Sequence, residues 1–278
     1  MGIIETLILT TALAGVLGTG LGGLIGALLQ KDSAKAVSLL LSFAGGVMLS
    51  VVCFDLVTEA IETQVGVEIV VIAIALGVAV TFILNHIIDQ KTNPEVPHID
   101  ENHPKTADHL DELIHSDHLE QHYAKKDGKL GLFVAGIVMA CAIALHNIPE
   151  GMTIGASYAG DGGVMGKAAL TLAILIGLHN IPEGMAGSVP LISGGMKRWR
   201  AVLITASTGI PTIVGALLGY ALGEIGPMGL TMSLGFASGA MLYVVFGEIL
   251  PQSILMYHSK MPAFSTIVGI LVGLLIIF

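Results

Sequence analysis

Charged residues are scarce in this 278-residue chain, in which Asp, Glu, Lys and Arg together make up 12% of the sequence. A soluble domain of this length would need roughly 25% charged residues to cover its surface. Aromatic residues are also few, at 5%, whereas hydrophobic residues reach 54%. The composition therefore excludes an ordinary soluble globular protein.

Cysteine is nearly absent as well. Only Cys53 and Cys141 occur, each inside an apolar run, so no disulfide framework is indicated. We interpret both as small hydrophobic side chains, with thiolate ligation of a metal as the alternative. The first apolar run, from Ile3 to Leu29, has no basic segment before it and no small-residue cleavage site after it. This pattern predicts a retained membrane helix rather than a signal peptide.

Long apolar runs are what the sequence has instead. Runs near 20 residues match a hydrocarbon core of about 30 Å, and a backbone in lipid must satisfy its own hydrogen bonds. The sequence therefore predicts an all-α integral protein of the cell (inner or plasma) membrane, with eight transmembrane helices in the lipid bilayer. The predicted helices are residues 3–29, 35–61, 66–89, 130–159, 166–190, 200–222, 228–252 and 263–278.

The basic residues predict the orientation of these helices. Eleven of the twelve Lys and Arg fall in the connections after helices one, three, five and seven, and only Lys167 falls on the opposite side. The positive-inside rule makes the richer side cytoplasmic, so both termini are predicted to be extracellular. A different helix count would scramble this sorting, which therefore supports eight helices.

Two internal repeats predict the architecture. LHNIPEGM occurs at residues 145–152 and again at 178–185, and FAGGVMLSVVCFD at 43–55 resembles FASGAMLYVVFGE at 236–248. The second match relates helices 1–3 to helices 6–8 in the opposite orientation, on either side of a central helix pair 4–5. Such an inverted repeat is typical of secondary transporters with a site at the membrane midplane. A duplication that serves packing alone is the alternative.

A polar segment divides the membrane domain into residues 1–90, with helices one to three, and residues 130–278, with helices four to eight. Residues 91–129 contain six of the ten His and have no apolar period, which predicts a mobile cytoplasmic loop. His115, His118 and His122 have helical spacing, which suits loose capture of metal ions. A solvated polar loop without a metal role is the alternative.

Polar side chains recur inside helices four and five. His146 and Glu150 are four residues apart and share a helix face, with Asn147 on an adjoining strip. Pro149 has no N–H, which frees the Leu145 carbonyl and predicts a kink. Helix five repeats this pattern with His179, Asn180, Pro182 and Glu183.

The cost of burying these charges indicates a cation. An ionised carboxylate in a membrane helix costs several kcal/mol by most scales, so two carboxylates need a partner that offsets this cost. Mixed nitrogen and oxygen ligands suit Zn²⁺, Fe²⁺, Mn²⁺ or Co²⁺, whereas Mg²⁺ and Ca²⁺ prefer oxygen alone. The alternatives are a His–Glu ion pair within each helix and a proton relay, but the duplication of the motif favours a metal site.

The two HNIPEG motifs, at residues 146–151 and 179–184, resemble the signature pair of the ZIP (Zrt/Irt-like) divalent-metal transporters, in the bacterial branch that carries the motif twice. The predicted helix count, the extracellular termini and the His-rich loop are similar to that family as well. The resemblance implies import of zinc, or of iron, manganese, cobalt or cadmium, into the cytoplasm. It also implies an elevator-like movement of one helix bundle against another, and a homodimer.

The resemblance further implies the metal-binding residues. They are His146, Asn147, Glu150, His179, Asn180 and Glu183. Met48 in helix two is similar to a family position whose thioether faces the site, with core packing as the alternative. Family members often add a carboxylate from helix six just before a proline, but residues 207–212 read STGIPT without an acid. The absence of this acid puts a complete second metal position in doubt.

Three residues outside the motif are candidates for the transport pathway. Asp55 and Glu248 occupy matching places in the repeat, and each could line the path or pair locally. Pro251 follows Glu248 closely, which favours a pathway role for that residue. His86 lies at the predicted cytoplasmic end of helix three, where a release role and a solvated helix end are equally consistent with the sequence.

Other function classes fit less well. An intramembrane metalloprotease uses H-E-x-x-H, whereas Asn follows each motif His here, so we expect a transporter and not an enzyme. A channel or a metal receptor is harder to separate from a carrier by sequence. We expect no bound cofactor, because the divalent ion is the cargo, and no nucleic-acid partner.

Overall fold

The structure is a computed structural model that describes residues 2–28, 34–92, 128–162 and 166–278. Within these ranges the secondary structure is helical and contains no strand. The helical segments join end to end into eight rods, which we label α1 to α8 in chain order. Each predicted helix overlaps one of these rods.

The rods have the following bounds. α1 is Ile3–Ala12, a π-helical turn at Leu13–Leu17, and Gly18–Leu28. α2 is Ala34–Val51, a π-helical turn at Val52–Leu56, and Val57–Glu62. α3 is Val67–Thr92, α4 is Gly128–Gly160 and α5 is Lys167–Ser193. α6 is Arg198–Ser207 followed by Ile210–Gly223. α7 is Pro227–Val244, a π-helical turn at Val245–Ile249, and Leu250–Met256, and α8 is Met261–Ile277.

Six helices in the described ranges are long and apolar enough to cross a membrane: Ile3–Leu28, Lys35–Glu62, Val67–Ile87, Lys167–Ser193, Arg198–Gly223 and Pro227–Ile254. Their outward faces carry exposed large apolar side chains such as Leu13, Ile72 and Leu203. Exposed apolar surface of this extent suits lipid rather than water. The predicted multi-pass membrane protein is confirmed, whereas the count of eight spans and the extracellular termini stay predictions.

The sixth predicted helix corresponds to α6, which forms one apolar span but is interrupted near its middle. It breaks at Thr208 and Gly209, and its second half begins at Ile210. Pro211 explains this start, since proline lacks an N–H and is tolerated in the first turn of a helix. The three π-helical turns were not predicted at all.

The rods pack as two groups. In the first group, α1 packs on α5, α6 packs on α4, and α4 packs on α5. In the second group, α2 packs on α8, α3 packs on α7, and α7 also contacts α2. The two groups meet where α7 lies on α4 and where α2 lies on α5.

Glycines allow very close approach inside both groups. A Cβ on Gly22 of α1 would overlap a carbonyl oxygen of α5, and one on Gly215 of α6 would overlap a carbonyl oxygen of α4. Likewise, a Cβ on Gly46 of α2 would overlap a carbonyl oxygen of α8, and one on Gly239 of α7 would overlap a carbonyl oxygen of α3. Small residues of this kind let membrane helices touch backbone to backbone.

These contacts fall at positions that the sequence repeat relates. Gly22 and Gly215 are 193 residues apart, as are Gly46 and Gly239, and the same offset relates the two halves of the repeat. It also relates the π-helical turns at Val52–Leu56 and Val245–Ile249. The matched contacts and turns support the predicted repeat, whose inverted orientation stays a prediction.

Candidate metal site

The four motif His and Glu residues come together between α4 and α5. His146 Nε2 lies 3.1 Å from Glu183 Oε2, and His179 Nε2 lies 2.8 Å from Glu150 Oε1. All four side chains are buried, with at most 5% of any residue exposed. Each His therefore pairs with the Glu of the other helix, not with the Glu four residues away on its own helix.

The local sequence explains how the helices bring these residues together. α4 and α5 continue as helices through Pro149 and Pro182, so the four-residue spacing keeps His and Glu of each motif on one face. Gly18 and Gly22 of α1 bring that helix onto the backbone of α5. The kink that the prolines predict stays a prediction.

The two motif asparagines contact the backbone of the neighbouring helices. Asn147 Nδ2 donates a hydrogen bond to the carbonyl oxygen of Thr208 in α6, at 2.7 Å. Asn180 Nδ2 donates to the carbonyl oxygen of Ala14 in α1, at 3.1 Å. Both asparagines are completely buried. Their amide nitrogens are thus occupied, which leaves their amide oxygens for another partner.

Each motif residue also has one buried atom without a hydrogen-bond partner among the described residues. These atoms are His146 Nδ1, Asn147 Oδ1, Glu150 Oε2, His179 Nδ1, Asn180 Oδ1 and Glu183 Oε1. A buried polar atom without a partner costs free energy, and native proteins contain few of them. When a neutral His donates Nε2–H to a carboxylate, its Nδ1 carries a lone pair. All six atoms can then accept a cation.

Three of these residues already lie within reach of a common ion. One ligand atom each from His146, Glu150 and Glu183 lies within 4.8 Å of the other two. In the part of the chain that the structure describes, this is the only such group of three or more His, Cys, Asp or Glu residues. Zn²⁺ binds imidazole nitrogen and carboxylate oxygen at about 2.0–2.2 Å, so small side-chain movements would complete the contacts.

A cavity reaches this cluster from between α3, α4 and α7. Its lining includes Thr81 and Asn85 of α3, His146 and Pro149 of α4, and Glu248 of α7. Asn85 Nδ2 also lies 3.4 Å from the Tyr243 hydroxyl, which links α3 to α7 beside the cavity. One cavity therefore connects a cluster residue with Glu248.

Comparison with known proteins decides the family. A model of the family described as ZIP zinc transporters matches residues 5–278. The chain belongs to the ZIP family. The zinc transporter ZupT of Clostridium perfringens is 31% identical over 279 residues, which cover 95% of this chain and 92% of that protein. The zinc transporter ZupT of Chlorobaculum parvum is 32% identical over 253 residues, covering 87% and 85%. The zinc transporter ZIP11 of Xenopus tropicalis is 36% identical over 143 residues, covering 49% and 41%.

The remaining predicted residues of this ZIP protein lie on helices other than α4 and α5. Asp55 is half-buried on the π-helical turn of α2, and Glu248 lies on that of α7. His86 is exposed and stacks on Phe82, with ring centroids 6.2 Å apart. Met48 is fully buried in the hydrophobic core, and its role as a ligand stays a prediction.

The two cysteines and three histidines of the polar segment are the other residues that the sequence singled out. Cys53 and Cys141 are both exposed on the helix surfaces, so neither belongs to the buried cluster. The predicted capture residues of the loop lie outside the described residues: His115, His118 and His122. The role of these three residues stays a prediction.

Several contacts of the described structure have no clear signal in the sequence. Among them are the backbone carbonyls of Ala14 and Thr208, although the GIP after Thr208 could indicate the break in α6. Another involves Glu59 of α2, which is half-buried and accepts a hydrogen bond at its Oε2 from Ser157 Oγ of α4, at 3.0 Å. No sequence signal indicated that contact between the two helix groups.

Proposed function

We propose that this ZIP protein transports divalent transition-metal ions, zinc among them, into the cytoplasm through the buried His/Glu/Asn cluster. The observation that carries the proposal is the crossed pairing of two His and two Glu residues at zero to 5% exposure. The relatives that cover most of the chain are themselves named zinc transporters. These names support zinc as one cargo of this chain.

The charge of the cluster suits one divalent ion. Glu150 and Glu183 together carry two negative charges when ionised, which one M²⁺ balances. A second M²⁺ would leave two positive charges in a buried site, where uncompensated charge is expensive. Helix six has no acid just before Pro211, and a Cβ on the neighbouring Gly209 would overlap the Gly15 backbone of α1. We therefore propose a single ion at the cluster.

The ligand chemistry suits several metals. Imidazole nitrogen, carboxylate oxygen and amide oxygen are accepted by Zn²⁺, Fe²⁺, Mn²⁺ and Co²⁺, and affinity alone separates these ions poorly. Cd²⁺ falls within the same proposal. We propose a broad range of divalent transition metals, with Met48 as an additional thioether ligand that would favour the softer ions.

We propose that the cavity forms part of the route from the cluster to the cytoplasmic side. In the predicted orientation, the Asn85 end of α3 and the Glu248 part of α7 belong to the cytoplasmic half of the membrane. An ion could leave His146 through this cavity, pass Glu248, and reach His86 and the loop that contains His115. In the same predicted orientation, Asp55 and Glu59 lie toward the extracellular end of α2, where an ion would enter.

The packing of the helices supports an elevator-like movement. All six motif residues, together with the Ala14 and Thr208 carbonyls that hold the asparagines, belong to the group α1, α4, α5 and α6. This group could carry an intact site along the group α2, α3, α7 and α8, as alternating access between two bundles requires. We further propose a homodimer and two extracellular termini. Only 17% of the apolar span of α3 is buried, which leaves a large face for lipid or a second copy.

Zinc uptake into proteoliposomes tests the proposed function. His179→Ala and Glu183→Ala should each abolish uptake, because each removes one ligand and leaves its partner unpaired. Cys141→Ala, on the exposed surface of α4, serves as the control and should transport normally. Undiminished uptake in both site variants would end the proposal. Saturable uptake with competition among metals indicates a carrier, whereas single-channel current would indicate a pore.

A further inference from the structure

We propose that Asn147 and Asn180 are positioning residues whose amide N–H groups hold irregular backbone segments of α6 and α1 in place, which aims the two amide oxygens at the cargo. The inference rests on the proposed function of the cluster. It adds a role that the motif alone does not give, since each asparagine was predicted only as a ligand.

The Asn147 contact lies at the break in α6. Its Nδ2 is 2.7 Å from the Thr208 carbonyl oxygen, and Thr208 separates the segments Arg198–Ser207 and Ile210–Gly223. The Thr208 side chain is occupied by its own helix, because its hydroxyl donates to the Thr205 carbonyl at 2.6 Å. The hydrogen bond from Asn147 therefore fixes the broken part of α6 to α4.

The Asn180 contact lies at a corresponding irregularity in α1. Its Nδ2 is 3.1 Å from the carbonyl oxygen of Ala14, which belongs to the π-helical turn Leu13–Leu17. π-helical turns disturb the regular helical hydrogen bonds and occur frequently at functional sites. The hydrogen bond from Asn180 therefore fixes the π-helical turn of α1 to α5.

A carboxamide is suited to this double role. It has N–H donors on one side and an acceptor oxygen on the other, in one planar group. Once the nitrogen is bound to a backbone carbonyl, the oxygen must point away from that carbonyl. In both asparagines the oxygen is buried and has no partner within the described residues. The same two bonds thus orient both oxygens, and they join α4 to α6 and α5 to α1 within the first group.

Aspartate variants separate positioning from ligation. Asn147→Asp and Asn180→Asp keep a ligand oxygen and add negative charge, so a residue that acts only as a ligand should bind metal at least as tightly after the change. A positioning residue loses its donor, and a carboxylate oxygen then faces a carbonyl oxygen. We expect about tenfold weaker Co²⁺ binding in each variant, the lower end of the loss that follows when groups orienting metal ligands are removed.

Hydrogen–deuterium exchange supplies a local readout of the same variants. Asn147→Asp should speed amide exchange in residues 208–212 of α6 and leave residues 14–18 of α1 unchanged, and Asn180→Asp should do the reverse. Ser265→Ala is the matched control, because Ser265 Oγ ties α8 to the Leu39 carbonyl of α2 at 2.7 Å in the second group. It should alter neither exchange at these segments nor Co²⁺ binding.

The results separate this inference from the proposed function. Aspartate variants that bind Co²⁺ as tightly as the original chain, with unchanged exchange in both segments, would overturn the positioning role. If an aspartate variant fails to fold, hydrogen–deuterium exchange of the original chain provides the test. The positioning role requires slow amide exchange in both segments before metal is added. Fast exchange that slows only with Co²⁺ would overturn the role. Unaltered Co²⁺ binding in Glu150→Gln and Glu183→Gln would instead contradict the proposed function.

Discussion

His146 and Glu183 face each other across the α4–α5 contact at 3.1 Å, although they belong to different copies of the motif. His179 and Glu150 form the reciprocal contact at 2.8 Å. The duplicated motif thus forms one composite site rather than two local pairs. This relationship predicts that both copies are needed, and it leads to predictions that a single-motif site would not share.

The crossed pairing predicts which residues are coupled in the metal-free protein. A double-mutant cycle on thermal stability with His146→Ala and Glu183→Ala should show a coupling of about 1 kcal/mol or more, within the range measured for residues in contact. The same-helix cycle with His146→Ala and Glu150→Ala is the control and should show a smaller coupling. Equal coupling in both cycles would contradict the crossed arrangement.

The charge balance predicts one ion per chain at the cluster. Zinc bound to purified protein, counted by mass spectrometry of metal and protein, should fall by one ion per chain in Glu183→Gln. The count should be made in a chain with His115, His118 and His122 replaced by alanine, so that loop binding does not contribute. A loss of two ions per chain would show that the cluster holds a pair of ions.

The glycine contacts predict that a single added methyl group at Gly22 strongly destabilises the protein. Gly22→Ala should lower the free energy of unfolding by about 1–3 kcal/mol, because the new Cβ would overlap the Ile181 carbonyl and a backbone cannot move aside cheaply. Leu21→Ala is the control, since Leu21 is 41% exposed on the same helix. Thermal unfolding in detergent measures both, and equal melting temperatures would argue against close packing of α1 on α5.

The cavity predicts a separation between binding and transport at Glu248. Glu248→Gln removes a charge from the cavity lining but none from the cluster, so zinc affinity should stay within about twofold while uptake slows about tenfold, a barrier change of about 1.4 kcal/mol. Glu68→Gln, on the exposed first turn of α3, provides the comparison. Normal uptake in Glu248→Gln would remove this residue from the pathway.

Movement between the two helix groups predicts a selective effect of cross-links. Ser157 of α4 and Glu59 of α2 are in contact across the groups through the end of the Glu59 side chain, so a short reducible bifunctional thiol reagent that joins Ser157→Cys to Glu59→Cys should block uptake until it is reduced. Both native cysteines are first replaced by alanine in this chain.

A cross-link within one group is the control for that experiment. Thr63 and Thr231 have hydroxyl oxygens 2.5 Å apart and join α2 to α7 in the second group. The same reagent applied after Thr63→Cys and Thr231→Cys should leave uptake intact. Uptake that survives the Ser157–Glu59 cross-link would contradict relative movement of the groups.

Much of the fold could be predicted because it depends on local chemistry. Apolar length identified the helices, and four-residue spacing placed His146 beside Glu150 on one face. The crossed pairing could not be predicted, because it depends on how α4 and α5 are rotated against each other. That rotation depends on contacts such as Gly136 of α4 against Leu191 of α5, which are distant in sequence.

The backbone irregularities could not be predicted from the sequence pattern either. Apolar periodicity identifies helix faces but does not distinguish a π-helical turn such as Leu13–Leu17 from regular helix. Ala14 is chemically unremarkable, and only its position in that turn makes its carbonyl a partner for Asn180. The proposed positioning role of the asparagines therefore rests on three-dimensional contacts that the sequence pattern does not show.

The most direct test of the central claim is an anomalous-diffraction map of crystals grown with zinc. We predict one strong zinc peak between α4 and α5, about 2.0–2.2 Å from atoms of His146, Glu150 and Glu183. A zinc peak elsewhere, with the His146–Glu183 and His179–Glu150 contacts still closed, would contradict the claim that this cluster carries the ion.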